Sequence, residues 1–241
     1  MNTDVIFKSE TMKSTDFTFD SKVVNVFDDM VVRSVPFYPE FQRMIAEIAT
    51  NFAKPDTAIY DLGCSTGTTF LTLDSVVDST VKFVGVDESE EMLEKCAANL
   101  GKNGVTRSFN LFSADLNRQV LIANASVVVL CLTLQFVRPL NRAKLIESVY
   151  NQLNPGGIII LVEKVLGESA EFNRRFINYY YDFKRRNNYN EMEIAIKREA
   201  LENVLVPYKV SENIKMLEDA HFKSNEVFFK WYNFAGFVGI K

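Results

Sequence analysis

Residues 58–73 read AIYDLGCSTGTTFLTL: a short apolar run, a loop of small residues between two glycines, and the start of a helix. A glycine turn placed directly between a buried strand and a helix is the mark of open α/β sheets, where the turn brings backbone up to a ligand. The chain goes on alternating. Strands are predicted at Thr57–Leu62, Val81–Val86, Ser108–Phe112, Ser126–Leu132 and Ile158–Val162. Between them fall a helix from Thr68 towards Val77, a second with Met92, Leu93, Cys96, Ala97 and Leu100 on one face and a stop at Gly101, and a third over Leu140–Leu153 ended by Asn154-Pro155-Gly156-Gly157. Ser126–Leu132 is apolar on both faces, as a buried parallel strand is. This spacing predicts an α/β fold with a doubly wound, mostly parallel sheet.

The flanks differ. From Phe17 to about Phe52 apolar residues recur at helical spacing, and Pro36 and Pro39 interrupt them, which predicts two helices around a turn at residues 34–38. Residues 1–16 are polar and are predicted to be loose. Residues 165–205 read as a charged, aromatic helical insertion, and EVFFKWYNFAGFVGIK closes the chain as a β-hairpin at the sheet edge. The whole of 1–241 is read as a single ligand-binding domain.

Bulk properties narrow the partners. A net charge of −4 argues against a nucleic-acid binder working through bulk electrostatics. Cys64, Cys96 and Cys131 form no C-x-x-C pair, which predicts a reducing compartment without a disulfide frame or a bound metal. The N-terminus has no apolar export segment, and the most apolar run, Val127 to Val137, is too short to span a bilayer. No membrane and a cytoplasmic location are expected.

The loop Gly63-Cys64-Ser65-Thr66-Gly67 has three readings. G-x-S-x-G written there suggests a hydrolase with Ser65 as nucleophile, and the single histidine, His221, lies downstream. In such hydrolases the elbow follows several strands, whereas here it follows the first. A nicotinamide or flavin site needs G-x-G-x-x-G, but Ser65 and Thr68 stand at the second and third glycines. The third reading is a nucleoside cofactor without phosphates. Gly63 turns the chain beside the ligand, and loop N–H groups can hold a carboxylate. Asp87, 24 positions beyond Gly63, stands where a carboxylate accepts from both ribose hydroxyls, and Asp115 stands where an acceptor meets an adenine amino group. Taken singly, Asp87 also suits a helix N-cap and Asp115 a turn. Together with the loop they point to S-adenosylmethionine.

Beyond these positions the chain resembles the bacterial carboxy-S-adenosyl-L-methionine synthases, a branch of the Rossmann-like class I methyltransferase fold. The resemblance runs from FTFD at residue 17 almost to the C-terminus, through FDDMVVRSVPFY, YDLGCS, TLQF, LNPGG, DFKRRNNY and KREALENV. It implies an enzyme that converts S-adenosylmethionine and prephenate to carboxy-S-adenosylmethionine and phenylpyruvate. A separate tRNA carboxymethyltransferase uses the product on a wobble uridine, so direct tRNA binding is not expected. The mechanism usually drawn for the family sends carbon dioxide from prephenate to a sulfonium ylide, which requires a dry site.

The resemblance assigns Tyr38, Gly63, Cys64, Ser65, Asp87, Glu88, Asp115, Leu116 and Cys131 to the cofactor. It assigns Arg198 to the new carboxylate, as the catalytic residue, reaching across a homodimer. A guanidinium fits that task because its planar fork makes two parallel bonds. Departures from the family are Cys131 and Glu88, each where asparagine is usual, and Phe37, where glycine is usual. The other readings are a conventional methyltransferase acting on a small molecule or tRNA, and a non-catalytic carrier of S-adenosylmethionine. Phe172, Phe176, Tyr179, Tyr180 and Phe183 share a helical face, expected to pack or to meet a second copy. Lys184-Arg185-Arg186 is expected to be a solvated helix end or an attraction for the prephenate dianion.

Overall fold

The computed structural model describes residues 21–202 and 204–241, so the segment 1–16 lies outside the described residues. The chain enters through α1 (Ser21–Ser34) and α2 (Tyr38–Phe52), on either side of the expected turn. Phe37 ends that turn at φ 57, in the left-handed region. A side chain there costs roughly 1–2 kcal/mol, which is why glycine suits the position. Pro39 falls in the first turn of α2, where its missing N–H leaves no bond unmade.

The alternating region follows as β1 (Ala58–Leu62), α3 (Thr68–Leu73), β2 (Lys82–Asp87), α4 (Glu90–Lys102), β3 (Phe109–Ser113), β4 (Ala125–Cys131), α5 (Pro139–Gln152) and β5 (Leu153–Leu166). The insertion is α6 (Ala170–Arg186) and α7 (Glu191–Leu201). Then come β6 (Tyr208–Lys209), α8 (Val210–Asp219), β7 (Ser224–Trp231) and β8 (Phe234–Ile240). Strand order is β3-β2-β1-β4-β5-β8-β7, with β6 beside β5. The first five strands in that order are parallel, and β8 runs antiparallel to both β5 and β7. The doubly wound sheet and the closing hairpin are therefore as expected. Among the described residues no helix is long and apolar enough to cross a membrane.

Alternation along each strand sends side chains to two cores. Ile59, Phe83, Val127, Val129, Ile158 and Ile160 meet Phe41 and Ile45 of α2, Phe70 of α3 and Leu100 of α4. Tyr60, Val84, Val128, Ile159 and Leu161 meet Leu145 and Ile146 of α5 and Leu217 of α8. Three expectations shift. Asn154–Gly157 does not precede the fifth strand but bulges within it, because the pairing steps from Ala125 with Leu153 to Val127 with Ile158. Gly101 lies inside α4, where a Cβ would meet only open space, so nothing there demands a stop. β6 and α8 are additions to the expected elements.

One side chain ties down the segment between α3 and β2. Arg107, its side chain 5% exposed, donates to Asp74 Oδ1 at 2.6 Å and to the carbonyls of Asp74, Val77, Asp78 and Val81. Its guanidinium also lies 4.5 Å from the Phe83 ring centre. Arg107→Met leaves those carbonyls without their donor and is expected to cost about 2–4 kcal/mol, read as a lower denaturation midpoint.

Candidate functional site

The C-terminal ends of the parallel strands open on a cavity of about 390 Å³, a volume usual for small-molecule sites. α1, α2, α6 and α7 wall it on the far side. Tyr38, Gly63, Cys64, Ser65, Asp87, Glu88, Asp115, Leu116, Cys131 and Arg198 all line it. Glu88 and Arg198 are exposed at the rim, Tyr38 and Cys64 are buried, and the others lie between.

The cradle is built by close approach. Gly63 has φ +87, and a Cβ on it would stand 2.3 Å from Thr133 Oγ1 on the loop after β4. Gly67, at φ +86, would put one 2.7 Å from Cys96 Sγ of α4. The loop amides bond mainly within the protein: Gly63 and Cys64 N–H donate to Val86 O, and Gly67 N–H donates to Cys64 O. Ser65 N–H donates to Asp87 Oδ2 at 2.9 Å. Of the loop amides, Ser65 N–H thus serves the Asp87 carboxylate, while Gly63, Cys64 and Gly67 N–H serve backbone carbonyls.

Asp87 Oδ1 also accepts from the N–H of Ser89, and Ser89, not Asp87, is the N-cap of α4. Each oxygen keeps a lone pair for a ligand hydroxyl. Burial raises its pKa against the pull of those amides. Asp115 accepts from the N–H and the side-chain amide of Asn117, which hold its carboxyl below the usual range. It is a turn residue and a cavity residue together.

Behind the loop sits a polar pocket that sequence reasoning passed over. Asp61, 1% exposed, projects from β1 towards α2 and α3, and its Oδ1 has no partner among the described residues. Burial pushes it up to about 7, opposed by a hydrogen bond from Thr69. Gln42 Oε1 is likewise unpartnered, while Gln42 Nε2 donates to Cys131 Sγ at 3.5 Å. Burial pushes the Cys131 thiol well up, with Asp61 and Glu163 adding to it, so the sulfur meets the cavity as a neutral group. The sequence shows Asp61 only as a lone acid in AIYDL and Gln42 only as a lone amide on the apolar face of α2, with nothing to mark the missing partners.

The cavity's other end is lined by lysines: Lys164 at the end of β5, Lys184 on α6 and Lys197 on α7. Lys184 is 4% exposed, so the run 184–186 is not uniformly solvated as expected. Only Arg185 and Arg186 face out, and Arg185 pairs with Asp182 and Glu191. The aromatic face of α6 packs on the β7–β8 hairpin through Phe176 and Tyr179 on Tyr232 and Phe183 on Trp231. Tyr180 reaches the cavity, and its hydroxyl donates to Ser34 O at 2.9 Å.

The hydrolase reading does not survive the geometry. Ser65 Oγ donates to Met92 Sδ, and His221 packs on Tyr150 of α5, across the sheet from the cavity.

Similarity to known proteins agrees with this geometry. A family described as "Methyltransferase domain" matches residues 59–157. A protein of Methylococcus capsulatus named carboxy-S-adenosyl-L-methionine synthase is 54% identical over 242 aligned residues, covering 100% of both chains. One of the same name from Desulfotalea psychrophila is 41% identical, covering 99% of this chain and 97% of that one. Among solved structures, an S-adenosylmethionine-dependent methyltransferase from Aquifex aeolicus superposes with TM-score 0.61 at 15% identity, over 92% of this chain and 99% of its own. An O-methyltransferase family protein from Burkholderia thailandensis reaches 0.69 at 13% identity, over 92% and 60%. Those two likenesses concern the fold.

Proposed function

Because the chain belongs to the carboxy-S-adenosyl-L-methionine synthase family, we propose that its cavity moves a carboxyl group from prephenate to the methyl carbon of S-adenosylmethionine. The chain is a carboxy-S-adenosylmethionine synthase on the methyltransferase fold, and S-adenosylmethionine is the substrate that accepts the carboxyl group. The observation that carries the finer reading is the meeting, in one cavity, of the nucleoside elements at β1–β3 with the guanidinium of Arg198.

The reaction balances with no added base or oxidant. Prephenate loses its ring carboxyl as carbon dioxide and its ring hydroxyl as hydroxide while the ring becomes aromatic, leaving phenylpyruvate. The hydroxide takes a proton from the methyl group and becomes water, and a carbon–carbon bond joins the methyl carbon to carbon dioxide. S-adenosylmethionine supplies a sulfonium whose positive charge makes that proton removable. The protein contributes placement and charge. Asp87 holds the ribose hydroxyls, and Oε1 of Gln42, on the cavity wall, takes the ligand's ammonium, with the buried Asp61 carboxylate behind the wall supplying negative charge. Val31, Val35, Leu201 and Phe234 keep the space apolar and short of water. Arg198 takes the new carboxylate. In this reading Arg198 serves the cavity of its own chain, which it lines, rather than reaching across a homodimer as the resemblance implies. A second copy closes the rim over it, the site works in the cytoplasm, and the product passes to a tRNA carboxymethyltransferase.

The test is incubation of the purified protein with both substrates. A product one carboxyl group heavier than S-adenosylmethionine, formed with an equal amount of phenylpyruvate, is expected. Release of S-adenosylhomocysteine instead would make the protein a conventional methyltransferase.

Asp61 adds a pH signature. Its folded value, about 7, lies above the 3.8 of a free side chain, so between those values the folded protein binds the extra proton. Stability of the ligand-free protein therefore falls as pH rises through that window. Binding of an ammonium favours the ionised carboxylate, so affinity for S-adenosylmethionine is expected to tighten as pH rises through about 7. Asp61→Asn is expected to flatten that rise in a titration series from pH 5.5 to 8.5, roughly the range on either side of the shifted group.

A further inference from the structure

The lysine end of the cavity is unlike ordinary protein interior. Lys164 and Lys184 bring their ammonium groups to 5.2 and 4.7 Å from the centre of the Tyr180 ring. Lys197 adds a third, 5.2 Å from the Tyr189 ring and 3.4 Å from its hydroxyl. No carboxylate pairs with Lys164 or Lys184 among the described residues. Three acids of the surrounding elements are committed elsewhere: Glu193 accepts from Asn190 N–H in the capping box of α7, Asp29 pairs with Arg33, and Glu163 accepts from the amides of Leu134 and Gln135. Glu202, on the same cavity wall, forms no ion pair with Lys164 or Lys184 among the described residues. The neighbouring charges that bear on Lys184 are Lys197 and Lys164, of its own sign. Burial lowers Lys184 well below its ordinary value and lowers Lys164 to about 8. Lys164 and Lys184, with an aromatic face as their main compensation, are costly to keep charged in the buried state, and an anion brought between them would restore that charge.

Position says which anion. The nucleoside elements lie at the ends of β1, β2 and β3, whereas Lys164 stands on β5, on the far side of β4 in the strand order, and Lys184 of α6 shares the Tyr180 ring with it. We propose that Lys164 and Lys184, with Lys197 beside them, seat the carboxylates of the second substrate, a small dicarboxylate dianion, at the end of the cavity away from the nucleoside. This rests on the synthase reading, in which that dianion is prephenate. It gives the two cation groups separate tasks: the lysines receive the incoming carboxylates, and Arg198 holds the carboxyl once transferred.

Lys184→Met tests the assignment, since it keeps the apolar stem and removes the charge. Prephenate binding to protein saturated with S-adenosylmethionine, measured by calorimetry, is expected to weaken roughly 10- to 100-fold. The dissociation constant for S-adenosylmethionine is expected to stay within about twofold, because no shared contact links the two ends. The melting temperature of ligand-free protein is expected to rise, since an unpaired buried charge is gone. Lys164→Met should repeat the pattern. Unchanged prephenate affinity in both variants would overturn the assignment, and so would an equal loss of S-adenosylmethionine affinity, which would move the lysines to the S-adenosylmethionine site. If wild-type protein forms no carboxylated product, the synthase reading fails by itself. The lysine seat is then decided by the same calorimetry, run with prephenate and with malonate: binding lost in Lys184→Met sustains it, and binding kept or absent from wild type refutes it.

Discussion

Arg198→Ala is expected to lower kcat/KM for carboxy-S-adenosylmethionine formation by roughly 100-fold or more, while the melting temperature barely moves. The asymmetry follows from where the side chain stands. It is 57% exposed at the cavity rim, and among the described residues it pairs only with Glu199, 4.0 Å away, so folding stability owes it little. Once a carboxylate is formed in a water-poor space, the same guanidinium becomes the partner of an enclosed charge, and removing it costs roughly 2–5 kcal/mol of binding. Equilibrium titration should show the variant binding S-adenosylmethionine as before while losing its preference for the carboxylated form. Arg198→Lys should recover part of the loss, since an ammonium keeps the charge without the two-pronged geometry. An unaltered preference in Arg198→Ala would remove the residue from the reaction.

Gly63→Ala is expected to be the most damaging single methyl group in the chain. Its Cβ would need space that Thr133 fills with Oγ1 at 2.3 Å and Cγ2 at 2.5 Å, and φ +87 disfavours any side chain. Thr133 cannot withdraw freely, because Oγ1 donates to Cys131 O at 3.2 Å on the chain leaving β4. Strain and overpacking together predict about 2–5 kcal/mol of lost stability, with loss of S-adenosylmethionine binding as the loop is pushed off Val86. Gly101→Ala is the control. It sits in α4, where an added methyl group would find no atom within 4 Å, and about 0.5–1 kcal/mol of stabilisation is expected. Thermal unfolding of the two variants side by side separates the roles of the glycines, and a Gly63→Ala protein as stable as wild type would refute the account of the cradle.

What could be read in advance follows a physical line. Gly63, Asp87 and Asp115 were legible because each marks the end of a strand whose apolar run is visible in the string, and parallel order puts those ends together. Lys164 and Lys184 were not, since they lie twenty positions apart on a strand and a helix and meet only where α6 crosses the cavity. Lys184 was read only as part of a basic run, a solvated helix end or an attraction for the prephenate dianion, and burial is what separates it from Arg185. Asp61 looked like the tail of a strand, because a missing partner has no trace in a linear pattern. The bulge at Asn154–Gly157 imitates a helix-to-strand turn so well that only the pairing across Ser126 reveals it. α8 escaped because its apolar positions are few and the buried Asn213 interrupts their stripe.

Glu163 and Lys164 are adjacent in β5, yet one props the turn at Leu134 and Gln135 while the other lines the cavity. Which sign of charge faces the cavity is thus a question of odd and even numbering along one strand. Losing a single residue upstream would exchange the two and put a carboxylate on the wall where an amine now stands, so the length of the bulge before them is under chemical as well as architectural constraint.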